Sequence, residues 1–255
     1  LNKVREYIKY NLKAKGRHGT HSPFVYDLVD KCFKMRIDDS FLKRRRELFR
    51  QLKHDHTIVK VVDLGAGSKY FNDQRKVSEI FTRSSSKGKF GDLLYQISNY
   101  YTPKRILEFG TSIGIGTINL ACGFADSEVT TVEGCPNTAA QASKNIVQLG
   151  CENIIQKVMS FDQFIEQCPN KIFDIIFIDG HHDGNALIDY MNRLKVFSDE
   201  NTLFILDDIR WSDSMFGAFN QIINDPDYHL TIDLYRIGIV SRKPGQHKEH
   251  FILKY

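Results

Sequence analysis

Residues 105–117 read RILEFGTSIGIGT. A short apolar run, Ile106 and Leu107, ends in an acid, Glu108. Three glycines follow, Gly110, Gly114 and Gly116, with the small residues Thr111, Ser112 and Thr117 between and after them. An apolar helical pattern runs on from Ile118. Strand, glycine turn and helix in that order make a nucleotide cradle, because glycine lets the backbone bend and lets a ligand approach it closely. The new helix offers unpaired N–H groups and a partial positive charge to an anion.

Downstream the pattern alternates strand and helix, the signature of an α/β sheet. Strands are expected at 128–132, 154–158, 171–179 and 202–206, and helices at 136–149, 185–197 and 212–223. The unbroken apolar run of 171–179, KIFDIIFID, suits a strand covered on both faces. Residues 229–234 and 237–242 read as a final antiparallel pair, with 251–253 as an extra strand.

Upstream, the pattern is helical. Val4, Tyr7, Ile8 and Leu12 recur at spacings of three and four. Ser22 and Pro23 suit a helix start, and Phe24, Leu28, Val29 and Phe33 form a stripe behind them. A third helix over 40–53 carries Lys43, Arg44, Arg45 and Arg46, and a fourth covers 91–101 before Pro103 stops it. Charge is uneven: residues 1–60 hold 16 Lys and Arg against 7 Asp and Glu in a chain of net charge +4. Such a front lobe suits either a solvated helical face or a polyanion, and the solvated face is favoured because few aromatics interleave with the basic run. His18 and His21 read as loop or cap residues, or as the lining of a substrate entrance.

No apolar run approaches the roughly 20 residues of a membrane span, and the first residues are charged throughout, so a cytoplasmic protein without a membrane partner is expected. The five scattered cysteines lack C-x-x-C spacing, which suggests reduced thiols and neither a disulfide frame nor a zinc site.

Spacing chooses among cradles. A dinucleotide fingerprint needs G-x-G-x-x-G, and counted from Gly114 its third glycine position holds Asn119. What stands there is E-x-G-x-S-x-G-x-G, which resembles the first motif of class I S-adenosylmethionine (SAM)-dependent methyltransferases. The resemblance spans about residues 105–240. It implies a Rossmann-like fold: a doubly wound, seven-stranded, mostly parallel sheet with a final antiparallel strand over 101–255, behind a helical lobe over 1–100. It also implies that Glu108, Gly110, Thr111, Ser112, Gly114 and Gly116 hold the methionine end of SAM. Glu133, followed by Gly134, stands at the tip of the second strand, 17 positions past Gly116. An acid there can accept hydrogen bonds from both ribose hydroxyls. The resemblance places Ser160 and Phe161 over the adenine, although Phe161 suits the core equally well. Residues 57–68, TIVKVVDLGAGS, offer a second D-x-G-x-G, but no apolar helix opens directly after it and no strand ending in an acid follows about 20 residues on. That stretch reads as a loop bordering the site.

In open α/β sheets ligands bind beyond the C-terminal strand ends. Glu108, Glu133, Asp179, Asp207 and Asp208 all occupy such ends, so one rim is expected to gather them. Neighbouring carboxylates tolerate closeness when a cation, a proton or a positive substrate compensates them. Oxygen-only ligands suit Mg²⁺ or another hard divalent cation. The set is similar to the metal site of cation-dependent O-methyltransferases such as the catechol and caffeoyl-CoA enzymes, which implies Asp179, Asp207 and Asp208 as ligands, with Asp208 in place of the family's Asn. Where those enzymes carry a Lys base, this chain has His182, a residue type that can accept a phenolic or alcoholic proton. Residues 179–182, DGHH, also resemble a broader methyltransferase group with an Asp-Gly-x-His turn. Asp179 is thus expected to serve cofactor, metal and catalysis together, and Asp183 to be a helix cap.

The expected activity is O-methyl transfer from SAM to a small hydroxylated molecule, by a monomer or homodimer. Two alternatives stand beside it: an RNA or other macromolecule methyltransferase recruited by the basic lobe, and a non-catalytic SAM-binding protein.

Overall fold

The computed structural model describes residues 3–16, 22–62, 74–83, 86–169, 171–243 and 248–255. His18, His21 and most of the second glycine stretch, from Asp63 on, lie outside them. Along the chain stand α1 (Lys3–Lys13), α2 (Pro23–Asp27) continued by a π turn at Leu28–Cys32, α3 (Asp39–Lys53), β1 (Ile58–Lys60), β2 (Gln74–Lys76), α4 (Val77–Arg83) and α5 (Gly88–Tyr101). Then come β3 (Arg105–Phe109), α6 (Ile115–Gly123), β4 (Glu128–Glu133), α7 (Pro136–Leu149), β5 (Ile154–Val158) and α8 (Phe161–Gln167). The last part holds β6 (Ile175–Ile178), α9 (Gly184–Arg193) with a 3-10 turn at Leu194–Phe197, β7 (Leu203–Leu206), α10 (Asp213–Asn224), β8 (Leu230–Asp233), β9 (Gly238–Ser241) and β10 (Glu249–Ile252). Eight strands form a mostly parallel sheet. The chain divides into two compact units, residues 35–168 and residues 1–34 with 169–255.

In the unit of residues 35–168, β3, β4 and β5 pair in parallel, with Phe109 opposite Val132 and Glu133 opposite Val158. Pro136 opens α7, and Gly150, at φ 69°, closes it in the left-handed conformation that glycine adopts without strain. Helices α5 and α6 cross closely: a Cβ at Gly91 would lie 2.8 Å from Asn119 Nδ2, and one at Gly123 would lie 2.5 Å from the Tyr95 carbonyl. The basic run on α3 is not a uniform solvated face. Arg45 is buried, donating to Asn119 Oδ1 at 2.7 Å and to Asp92 at 2.5 Å, with Phe41 and Phe49 against its guanidinium. Asn119, the residue that breaks the dinucleotide spacing, thus ties α6 to α3. Strands β1 and β2 form a separate antiparallel pair.

In the other unit β6 and β7 are parallel, β9 runs antiparallel to both β7 and β8, and β10 lies parallel to β8 as an added strand. Phe173, Phe177, Phe197, Phe204, Phe219 and Tyr228 fill its core. Helix α1 departs from its sequence pattern: Val4, Tyr7, Ile8 and Leu12 are exposed, and Tyr10 is the buried residue. Tyr10 donates its hydroxyl to the Leu253 carbonyl and packs its ring on Tyr235, so one polar-tipped aromatic anchors the helix. Among the described residues no helix is long and apolar enough to cross a membrane.

Candidate active site

The glycine turn follows β3 with three residues at positive φ: Gly110 at 102°, Ser112 at 49° and Gly114 at 82°. Gly110 N–H donates to the Val132 carbonyl at 3.0 Å, which folds the turn back onto the end of β4. Gly114 caps α6, and Gly116 is buried within its first turn. Thr111 lies inside, its hydroxyl 2.5 Å from that of Thr131.

Glu133 is wired into this turn. Its Oε2 accepts from Ser112 N–H at 2.8 Å and its Oε1 from Cys135 N–H at 2.9 Å. The acid therefore joins the glycine turn to the start of α7 through backbone donors. Burial pushes its pKa up, against the pull of those N–H groups. Gly134 follows, partly exposed, in the bend before α7.

Glu108 is fully buried. Its Oε2 accepts from Thr117 and, at 2.6 Å, from Thr131, while its Oε1 has no hydrogen-bond partner. Burial holds its carboxyl up at about 7. An orphaned buried acceptor beside a glycine turn suits a ligand that brings donors or positive charge. SAM, an amine and a sulfonium in one molecule, fits that requirement.

Ser160 has a structural occupation. It caps α8 in a capping box, accepting from Gln163 N–H at 3.2 Å while Gln163 Oε1 accepts from Ser160 N–H at 3.0 Å. Its hydroxyl accepts at the helix start and keeps its O–H donor. Phe161 stacks on Phe109 with ring centroids 4.5 Å apart and planes 6° apart.

The second group lies in the other unit, at the ends of β6 and β7. Asp179 follows β6, and Asp207 N–H donates to the Ile178 carbonyl at 3.0 Å, so strand pairing fixes the two acids side by side. They share a hydrogen bond, and Asp179 stands well above the usual carboxylate range because of burial and the charges of Asp207 and Asp208. Asp208 sits at φ 51°. The compensating cation is Arg236, from the turn between β8 and β9. Its Nε lies 3.1 Å from Asp207 Oδ1 and 3.0 Å from Asp208 Oδ1. Sequence reasoning missed this residue, because no local spacing links it to the acids.

The three aspartates are gathered as expected, but not as a ligand set. Among the described residues no three His, Cys, Asp or Glu side chains are arranged to hold a metal ion. Arg236 bonds Asp207 and Asp208, and Asp179 bonds Asp207, so part of the oxygen set that a divalent cation would use is engaged within the protein. Around the cluster, His182 Nε2 stands 4.0 Å from Asp179 Oδ1, and its ring lies 5.5 Å from that of Trp211, which is 55% exposed. Lys3 Nζ lies 5.1 Å over the same indole. His181, at φ 55°, stacks on Tyr190 and bonds its hydroxyl at 2.5 Å. Asp183 is a helix cap, accepting from Asn185 and Ala186 N–H, both at 3.0 Å. Close by, Arg210 and Asp233 form a buried two-bond pair at 2.7 and 2.5 Å.

Comparison with known proteins agrees with the glycine turn. Residues 107–209 match the model of a methyltransferase domain. No curated protein matches the chain in sequence. Among solved structures, a putative O-methyltransferase from Klebsiella pneumoniae is 20% identical with a TM-score of 0.55, covering 81% of this chain and 91% of its own. An SAH-bound methyltransferase from Podospora anserina is 14% identical with a TM-score of 0.59, covering 87% and 96%. An O-methyltransferase from Bacillus cereus in complex with SAH is 19% identical with a TM-score of 0.54, covering 85% and 96%. The strand–glycine-turn–helix unit and the acid at the tip of β4 lie inside the segment that matches the methyltransferase-domain model, and the fold is the one these solved methyltransferases share.

Proposed function

We propose that this chain transfers a methyl group from SAM to a hydroxyl oxygen of a small molecule, using Arg236 instead of a divalent cation as the counter-charge of its acidic cluster. The observation that carries the cofactor assignment is the Glu133 carboxylate held between the N–H groups of Ser112 and Cys135. That arrangement presents an acceptor for ribose hydroxyls at a fixed place beside the glycine turn. Gly110, Thr111, Ser112, Gly114 and Gly116 would hold the methionine end, with Glu108 as the buried acid beside it. Gly134 would pass close to the nucleoside and Phe161 would give it an apolar face.

SAM supplies an activated methyl, so the protein's task is to position the acceptor and remove its proton. Positioning of this kind can supply roughly 7–11 kcal/mol of a barrier. His182, with Nε2 4.0 Å from Asp179 Oδ1, would take the hydroxyl proton. Trp211, exposed and next to His182, would cover a flat acceptor. A small acceptor is favoured over a polyanion because Arg45 of the basic run is turned inward.

The test is turnover with methyl-labelled SAM against a panel of catechols and other small hydroxylated acceptors, with and without chelator. Labelled ether product, undiminished by chelator and lost in His182→Ala, is expected. SAH binding with no methylated product from any acceptor would favour a SAM-binding protein without catalysis, and activity abolished by chelator would remove the Arg236 assignment.

A further inference from the structure

Cys122 and Cys151 are 29 positions apart in sequence, yet their sulfurs stand 2.7 Å from each other. The approach is built into the backbone. Cys122 lies in the last turn of α6, and Cys151 follows Gly150, the left-handed stop of α7. The Asn153 side-chain amide donates to the carbonyls of Ala121 at 3.2 Å and Ser127 at 3.0 Å, fastening the end of α6 to the segment that carries Cys151. Both thiols are partly exposed, whereas Cys32 and Cys135 are buried. A cavity of about 770 Å³, bordered also by Arg44, Tyr95 and Asn99, gives small molecules access to the pair. Neither residue belongs to the site described above.

We propose that Cys122 and Cys151 are a modification site, an oxidisable thiol pair that hydrogen peroxide closes to a disulfide. The pair has a built-in direction. The contact between the two sulfurs and the nearby Arg44 charge lower the Cys151 pKa, while that contact and burial raise the Cys122 thiol. Cys151 is therefore the attacking thiolate. Its sulfur attacks one peroxide oxygen, the O–O bond breaks, and the departing hydroxide takes up a proton as water, leaving a sulfenic acid. Cys122 then gives up its proton and attacks that sulfur, the S–O bond breaks, and a second water leaves. Two thiols are oxidised and one peroxide is reduced to two waters. The sulfurs need close only from 2.7 Å to about 2.05 Å.

Treating the full chain with peroxide, alkylating it and mapping its peptides without reductant tests this assignment. A Cys122–Cys151 peptide, two hydrogen masses lighter than its parts and released by dithiothreitol, is expected. Cys151→Ser should lose it, and Asn153→Ala should form it more slowly. The map of the wild-type chain decides by itself if those variants fold poorly: peroxide that leaves these two thiols alkylatable, or links either to another cysteine first, overturns the proposal.

Discussion

The glycine turn of β3 and the acid cluster of β6 and β7 are both built from carboxylates at strand tips, yet they settle their charges in opposite ways. At the turn, Glu133 is satisfied by backbone N–H groups and Glu108 keeps one oxygen with no partner. At the cluster, Arg236 bonds Asp207 and Asp208, and Asp179 bonds Asp207. The first arrangement leaves acceptor capacity for a ligand. The second consumes it within the protein. A row of strand-tip acids therefore does not by itself define a metal centre; what decides is whether the chain carries its own cation to the row.

Four experiments press on that contrast, from the largest expected effect to the smallest. Arg236→Leu would leave the nearly buried Asp207 without its counter-charge and should cost about 3–5 kcal/mol in denaturant unfolding. A loss under about 1 kcal/mol would mean that the cluster does not depend on its arginine. Glu108 titrates at about 7 in the fold, against 4.5 for the free group. A raised carboxyl favours the folded state below the unfolded value, and that contribution is lost as pH rises through the folded one. Wild-type stability should thus fall by roughly 3 kcal/mol, relative to Glu108→Gln, between pH 4 and pH 8; parallel pH curves for the two proteins would rule out a buried protonated acid. Glu133→Ala should weaken SAM binding by more than about tenfold, or about 1.4 kcal/mol, in titration calorimetry. Unchanged affinity would remove the ribose assignment. Adding Mg²⁺ should produce no calorimetric heat and no shift in melting temperature; a saturable heat, lost in Asp208→Ala, would restore the cation to the cluster.

The turn was legible in the sequence because its constraints are local. Glycines, small residues and one acid at fixed spacing give β3, α6 and β4 with their bounds nearly as expected, and Pro136 and Gly150 mark both ends of α7. The acids of the cluster were equally legible, since each ends an apolar run. Their neutralisation was not, because Arg236 arrives through the pairing of β9 with β7, and no residue near Asp207 announces it. Helix α1 shows a third case. Its period was visible, but the face with more apolar residues is exposed, because the helix docks through Tyr10, which is buried, and through the edge contact of Tyr7 on Tyr235. Ser160 shows a fourth: Gln163 three residues on from it spells a capping box, a local signal of the start of α8.

Glu108 has one more consequence. Near neutral pH part of the ligand-free population stores a hydrogen ion on that carboxyl. A cationic guest settling beside it would expel that ion into the medium. Its heat of association would then vary with the ionisation enthalpy of the buffer, so the protein would report the arrival of positive charge by acidifying its surroundings.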